Sequence, residues 1–326
     1  MSLRTFTLKA RDLTHALAAL KRRCAAAESA DYVRKVIADI NGKGGVGKSS
    51  LAAAVAAAFA AIGKKVLLIE LDPQGNNAED LGFHGTPLND NGQAQVDAIL
   101  HGKSLIPTGE ARPNLFVVPG GALVEQIVEE LYVQRRLCSE APELLVQNAW
   151  MGVYASVLEP LRDEYDLIIL DIAPGYETLQ LAGLAAADMS LIPAKSDPSS
   201  RKGLRAVASR FVLARLYNPV LVLLGVVLFG VNASASKVEE QIREHLEKDL
   251  GGAAPVFSQA IRHVEAAAVA CRTRGKVPAE LRDTQPDASL SPAVLKSIKA
   301  LAMDYEALTY QILKAIVEAN KGVIAK

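Results

Sequence analysis

The run Gly42-Lys43-Gly44-Gly45-Val46-Gly47-Lys48-Ser49-Ser50 constrains this chain more than any other feature. It lies between an apolar segment ending Ala38-Asp39-Ile40 and an alanine-rich stretch in which Leu51, Val55, Phe59 and Ile62 recur at helical spacing. Gly42 and Gly47 hold the outer glycine positions of the pattern G-x-x-x-x-G-K-[ST]. Glycines permit the torsions that aim successive N–H groups at phosphate oxygens, and the helix that follows adds the partial positive charge of its N-terminus. Lys48 is placed to reach the β and γ phosphates of a nucleoside triphosphate. The Ser49 hydroxyl is placed to complete a Mg²⁺ shell, because Mg²⁺ takes hard oxygen ligands. Gly44, Gly45, Val46 and Ser50 complete the expected cradle.

Such a loop needs a strand before it and a helix after it, and the rest of the chain repeats that alternation. Residues 33–40, 65–71, 114–118, 166–170, 189–193 and 220–229 are short apolar runs of the kind that strands buried on both faces require. Helical spacing predicts helices near 122–137, 142–160, 199–217, 236–249, 263–275 and 292–320. The expected fold is α/β, a doubly wound and mainly parallel sheet with helices on both faces. It occupies residues 31–326 as one domain. Residues 1–30 form an N-terminal extension, with a helix that Asp12 or Thr14 starts and that runs to about Ala27. Residues 73–113, rich in Gly, Asn, Asp and Pro, are expected to form a long functional loop.

Composition narrows the setting. With 50% hydrophobic residues among 326, disorder as the main state is excluded. Lys plus Arg total 36 and Asp plus Glu total 36, so any binding to polyanions must come from local patches. Cys24, Cys138 and Cys271 are far apart with no C-x-x-C pair, which argues against a disulfide framework or a zinc ribbon and for a reduced, cytoplasmic setting. The longest apolar run, residues 220–231, is interrupted by Gly225 and Gly230 and falls short of the roughly 20 residues that a spanning helix needs. No continuous apolar region follows Arg4, Lys9 and Arg11, so neither a signal peptide nor membrane association is expected.

Lys43 is a second cation inside the loop, unfavourable so close to Lys48 unless an anion lies between them. Residues 43–49 resemble the deviant Walker A motif, K-G-G-x-G-K-[ST], of the ParA/MinD family of P-loop ATPases, and the likeness is closest to ParA-type partition ATPases. The resemblance runs from about Arg34 to at least Lys276. It implies ATP as the nucleotide, sandwiched in a homodimer, with Lys43 acting in trans to neutralise transition-state charge.

Two further segments fit. Glu70-Leu71-Asp72-Pro73-Gln74-Gly75-Asn76 is similar to the family's D-x-D-P-Q-G-N. Asp72, at the carboxyl edge of a strand, is the candidate for hydrolysis, either orienting or deprotonating the attacking water, and is a candidate Mg²⁺ neighbour. Glu70 stands where the family has Asp; it either contacts Mg²⁺ through water or senses phosphate. The apolar run ending in Asp171 has the Walker B pattern, which places Asp171 on Mg²⁺. The family continues Asp-x-Pro-Pro, whereas this chain has Ala173 before Pro174, a change expected to relax the second switch loop. Asn232, beyond the run at 220–229, is the candidate adenine contact.

Between Ser199 and Asn218 lie Arg201, Lys202, Arg205, Arg210 and Arg215 with no acidic residue. Arg201, Arg205 and Arg215 fall within about 80° of arc on a helix. Between Ile261 and Lys276, Arg262, Arg272, Arg274 and Lys276 oppose only Glu265. Aromatics are sparse in both stretches, which favours backbone contacts to duplex DNA over base stacking; solvated helix faces are the competing reading. The resemblance implies that the ATP-bound dimer holds double-stranded DNA without sequence preference. It also implies that a ParB-like centromere-binding partner stimulates hydrolysis, and that the protein is nucleoid-associated while it segregates plasmid or chromosomal DNA. The alternative is a MinD-like or cargo-positioning ATPase. Against a membrane anchor, Glu306, Glu318 and Asn320 interleave the apolar positions of the last helix, which is expected to dock on the fold. The N-terminal segment carries Arg4, Lys9, Arg11, Lys21, Arg22 and Arg23 against Asp12 up to Ala27, and is read as a packing helix with a basic exposed end.

Overall fold

Apolar runs too short for helices build the centre of the molecule. The computed structural model describes residues 10–195, 198–231, 236–250, 255–284 and 289–322, without side chains at 10–12, 198–202, 236–239 and 249–250. Its strands are β1 (Val36–Ile40), β2 (Val66–Leu71), β3 (Gly109–Arg112), β4 (Leu115–Val118), β5 (Leu167–Ile172), β6 (Met189–Lys195), β7 (Val222–Val231) and β8 (Ile261–Arg262). They form one sheet in the order β3-β4-β2-β5-β1-β6-β7-β8. All neighbours are parallel except the edge pair β3 and β4. The doubly wound, mainly parallel architecture is as the sequence predicts.

Alternate residues of each central strand feed two cores. Ala38, Ile40, Ile168 and Leu170 face one side, and Ile37, Leu68, Leu167 and Ile169 the other. Over the first face lie α1 (Ala10–Ala26), α4 (Gln93–Ile99), α5 (Val124–Cys138), α7 (Val153–Leu158), α8 (Glu177–Ala186), α9 (Pro198–Arg215) and α10 (Ser236–Leu250). Against the second lie α2 (Lys48–Ala61), α3 (Asn77–Asp80), α11 (Glu265–Thr273), α12 (Pro278–Asp283) and α13 (Pro292–Asn320). The small α6 (Leu144–Gln147) has no buried residue. Alanines let α2 lie close against the sheet, where ten of its fourteen residues are buried. The Ser291 side chain caps α13, which docks along its whole length through Ile298, Leu301, Leu308, Ile312 and Ala319.

Several expectations need correction. Residues 73–113 are not one loop: α3, α4 and β3 lie within them, hidden because each is too short to show a period. The helix expected at 142–160 breaks into α6, a 3₁₀ turn at Ala149–Gly152, α7 and a second 3₁₀ turn at Glu159–Leu161. Pro160 lies in the last of these, and at Gly152 a Cβ would come within 2.2 Å of the Ala16 carbonyl oxygen. The segment expected to be helical from 263 instead starts α11 at Glu265, after the short β8 has paired with β7. Neither α8 nor α12 shows in the pattern.

The helix of the first thirty residues packs firmly. Ala16, Ala19 and Leu20 are fully buried. Arg23 is buried as well, so the basic end is only partly exposed. Its guanidinium donates to Asp188 Oδ1 at 2.8 Å and to the Ala187 carbonyl at 2.7 Å. Asp188 also accepts from the Tyr32 hydroxyl at 2.6 Å, from Arg162 at 2.9 Å, and from the backbone N–H groups of Lys35 and Val36 at 2.7 and 2.8 Å. One carboxylate therefore clasps α1, the start of β1 and the turn after α7.

Candidate nucleotide site

The carboxyl ends of β1, β2 and β5 meet at one edge of the sheet, and the loop from β1 to α2 lies over it. Asn41 anchors the loop at its start. Its Oδ1 accepts the Lys43 N–H at 2.8 Å, its amide donates to the Pro193 carbonyl, and its own carbonyl accepts from Gln180 Nε2 at 3.0 Å. Gly42 packs backbone to backbone on Gly203 of α9, where a Cβ would lie 2.9 Å from the Gly203 oxygen. Gly47 starts α2 with φ of 92°, in the left-handed region, and a Cβ there would strike the Phe229 ring at 2.3 Å. No side chain caps α2. The N–H groups of its first turn are thus left for an anion.

Beneath the loop, three acids stand side by side in register: Asp39 on β1, Asp171 on β5 and Glu70 on β2. All three are buried, with Lys48, 6% exposed, as the nearby cation. Burial pushes each carboxyl above its usual range; Asp171 adds to the effect on Asp39 and Glu70, and Lys48 opposes it at Asp39 and Asp171. Neither Asp39 oxygen has a hydrogen-bond partner. Glu70 accepts the N–H of Asn77 at 3.1 Å and of Gly120 at 3.3 Å, so it clamps two loops together. Asp72 is 4% exposed and closes a tight turn, its Oδ1 accepting the Gln74 N–H at 2.9 Å. Burial raises its carboxyl too, against the Gln74 N–H and Lys48.

The donors suit a Mg²⁺ ion that arrives with a triphosphate. Asp171 Oδ2 accepts from Asn77 Nδ2 at 2.9 Å, while its Oδ1 is buried without a partner, and Ser49 adjoins the same carboxyl. An orphaned carboxylate oxygen beside a hydroxyl is the hard-oxygen pair that Mg²⁺ takes up, with phosphate and water completing its shell. Among the described residues no three His, Cys, Asp or Glu side chains form a self-sufficient metal site.

A cavity of about 540 Å³ opens over these groups, lined by Lys48, Ser49, Asp72, Gln74, Pro174 and Arg272 among others. A second, of about 320 Å³, adjoins it past Gly47 and Ser50 and is walled by Phe229, His263, Cys271 and Tyr305. A larger hollow of about 900 Å³ between α1, α4 and α7 has no part of the phosphate loop in its lining.

The comparisons agree with this geometry. Residues 34–221 match the family model described as an AAA domain. The chromosome-partitioning ATPase Soj of Thermus thermophilus is 32% identical over 215 residues, 64% of this chain and 76% of that protein. The chain belongs to the ParA/MinD family of P-loop ATPases. Solved structures share the fold of this ParA/MinD-family chain. An ATP complex of a Cyanothece McdA variant matches with a TM-score of 0.67 at 19% identity, covering 86% of this chain and 96% of that one. The Aquifex aeolicus cell division protein MinD matches with 0.55 at 21%, covering 85% and 97%.

The other expected contacts of this ParA/MinD-family member are spread wider. Arg205 is exposed and Arg215 half-buried on α9. Arg210 turns inward and donates to Gln180. Arg262 grips the buried Asp304 with two bonds, of 2.6 and 2.7 Å. Arg274 donates to the Ser289 hydroxyl at 2.7 Å. Arg272 reaches Glu79 at 2.6 Å and Asn76 at 2.7 Å, on the wall of the phosphate cavity. Asn232 and the Arg201 side chain lie outside the described residues.

Gln180 is a site residue that the sequence reading misses. From α8 it holds the Asn41 carbonyl at 3.0 Å and the Ala173 carbonyl at 2.8 Å. The Ala173 N–H also donates to Leu71 at 2.9 Å. The second switch loop is therefore pinned at Ala173 rather than relaxed there. No sequence signal marks Gln180 apart from its place in a helix that itself escapes the pattern.

Proposed function

We propose that this chain is a DNA-partition ATPase of the ParA type. The observation that carries the reading is the pairing of a two-lysine phosphate loop with Asp171, whose free oxygen lies below it beside Ser49. MgATP would sit in the cavity of about 540 Å³, where the N–H groups of residues 44–49 and Lys48 would hold its phosphates. Ser49 and Asp171 hold the metal, and Asp72 orients the attacking water. Lys43 completes the site of a partner subunit in a homodimer that sandwiches ATP. Hydrolysis is slow until both switch loops and the trans lysine are in place, and a ParB-like partner speeds it.

The dimer holds duplex DNA through phosphate contacts. Arg205 and Arg215 are the first candidates, and Arg201 and Arg274 are further ones; Arg210 and Arg262 contact DNA only by leaving Gln180 and Asp304. On this reading the protein is cytoplasmic and nucleoid-associated, residues 31–326 are the ATPase domain, and residues 1–30 are an extension whose helix α1 is clasped to it. Among the described residues no helix is long and apolar enough to cross a membrane.

Binding to random-sequence duplex DNA with ATP, ADP or no nucleotide tests the reading. ATP-dependent retention that Lys43→Ala abolishes supports it. Dimerisation on ATP without DNA binding at low salt overturns the DNA assignment and leaves a protein or membrane cargo, to be tested on liposomes and candidate assemblies.

A further inference from the structure

We infer that Arg272 is a positioning residue for the loop that carries Asp72, tying that loop to the wall of the neighbouring cavity. The inference deepens the ATPase reading and rests on it.

Arg272 lies on α11 at the partition between the two cavities and lines both. Its planar guanidinium donates to two groups at once, Glu79 Oε2 through Nε at 2.6 Å and Asn76 Oδ1 through Nη2 at 2.7 Å, and its Nε lies 3.7 Å from Asp80 Oδ1. Asn76 closes the loop that begins at Asp72. The next residue, Asn77, gives its N–H to Glu70 and its side-chain amide to Asp171. One side chain on α11 thus holds the residue adjoining the link between the Walker B strand and β2.

A second connection, rigid where the first is adjustable, joins the same two segments. Gly82 and Gly275 touch through their backbones, and a Cβ on Gly275 would lie 2.1 Å from the Gly82 Cα. Arg112 spans the same contact, donating to the Leu81 carbonyl at 3.0 Å and to the Gly275 carbonyl at 2.7 Å. The far end of the 72–82 segment is therefore welded to the end of α11. Its near end, already bonded to Glu70 and Asp171 through Asn77, is tied to α11 by Arg272, which is 44% exposed and able to re-pair. Ala268 and Cys271, on the same helix, form part of the second cavity's wall. A ligand group that presses on that wall moves Arg272, and with it Asn76 and the turn at Asp72. Such coupling is carried by an element both sites touch.

Steady-state hydrolysis and binding of a fluorescent ATP analogue, on the full chain, provide the test. Arg272→Ala is expected to lower kcat about tenfold, since small misplacements of a reacting group are costly in rate. The Kd for the analogue should change by less than about threefold, which also reports that the variant is folded. Arg272→Lys, a point charge that cannot grip both acceptors, should recover part of the rate. In an Asp72→Ala background, Arg272→Ala should add little, because both act on one loop. An unchanged kcat in Arg272→Ala, or losses that multiply in the double variant, would overturn the inference. So would loss of DNA retention with hydrolysis intact, which would make Arg272 a surface contact. A wild-type chain that binds the analogue but hydrolyses no ATP would instead remove the ATPase reading, and the inference with it.

Discussion

Asp72 and Asp39 are both buried aspartates at one sheet edge, yet their surroundings assign them different work. Asp72 has its carboxylate turned to the phosphate cavity and one oxygen tied to the Gln74 N–H. If Asp72 orients or deprotonates water as proposed, Asp72→Ala should lower kcat by about 10²–10⁴-fold while ATP still binds. Turnover within threefold of wild type would place that role elsewhere. Asp39 lies deeper, with neither oxygen partnered, and burial next to Asp171 raises it well above the usual carboxylate range. A carboxyl raised on folding binds its proton more tightly in the native state. The stability it lends is full below the unfolded value near 4 and is lost as pH rises through the folded value. Asp39→Asn removes that dependence. Its stability relative to wild type, from urea unfolding, should improve as pH rises above the unfolded value near 4; an unchanging difference would show that Lys48 neutralises Asp39. Glu70 and Asp171 carry the same sign and keep some slope in both proteins. The order of motifs makes Asp72 and Asp171 legible in the sequence. It hides Asp39, whose meaning comes only from the register that sets it beside Asp171.

Among the elements, the clasp at Asp188 joins the first helix to the sheet at its amino edge, away from the phosphate loop. Burial alone would raise the Asp188 carboxyl, but Arg23 and Arg162 with the Tyr32 hydroxyl bring it down to about 2. A depressed carboxylate contributes stability that is present above its unfolded value near 4 and is lost as pH falls through about 2. Removing one partner of a buried pair leaves a charge uncompensated, so Arg23→Ala should cost about 3 kcal/mol in urea unfolding at pH 7 and much less near pH 2. An equal cost at both pH values would show that Arg23 contributes packing alone. Neither Arg23 nor Asp188 is marked in the sequence: Arg23 ends a basic run that looks solvated, and Asp188 precedes a strand as any turn residue does. The elements themselves are legible where burial is continuous, as in β1, β2 and β5. They are obscure where local pattern fails. The edge strand β3, Gly-Glu-Ala-Arg, has no buried residue, and α8 is buried on all sides with Gly183 against Ile172, so neither shows a period.

For the whole molecule, a formal charge of zero means that a lone subunit has little net attraction for DNA. On the proposed reading, retention depends on dimerisation, which would bring two copies of the exposed face of α9 onto one duplex. If Arg205 and Arg215 of both subunits each meet a phosphate, four contacts release counterions, and log K should fall with log salt with a slope of about −3.6. Between 50 and 200 mM salt that is roughly a 100-fold loss. Arg205→Ala with Arg215→Ala should flatten the slope toward zero while ATP-dependent dimerisation, followed by sedimentation, is unchanged. Lys43→Ala acts one step earlier and should remove dimer and DNA binding together. The two variants separate a surface that touches DNA from a loop that licenses it. A steep slope that survives loss of both arginines would move the DNA face off this part of α9, to Arg274 or to Arg262 released from Asp304.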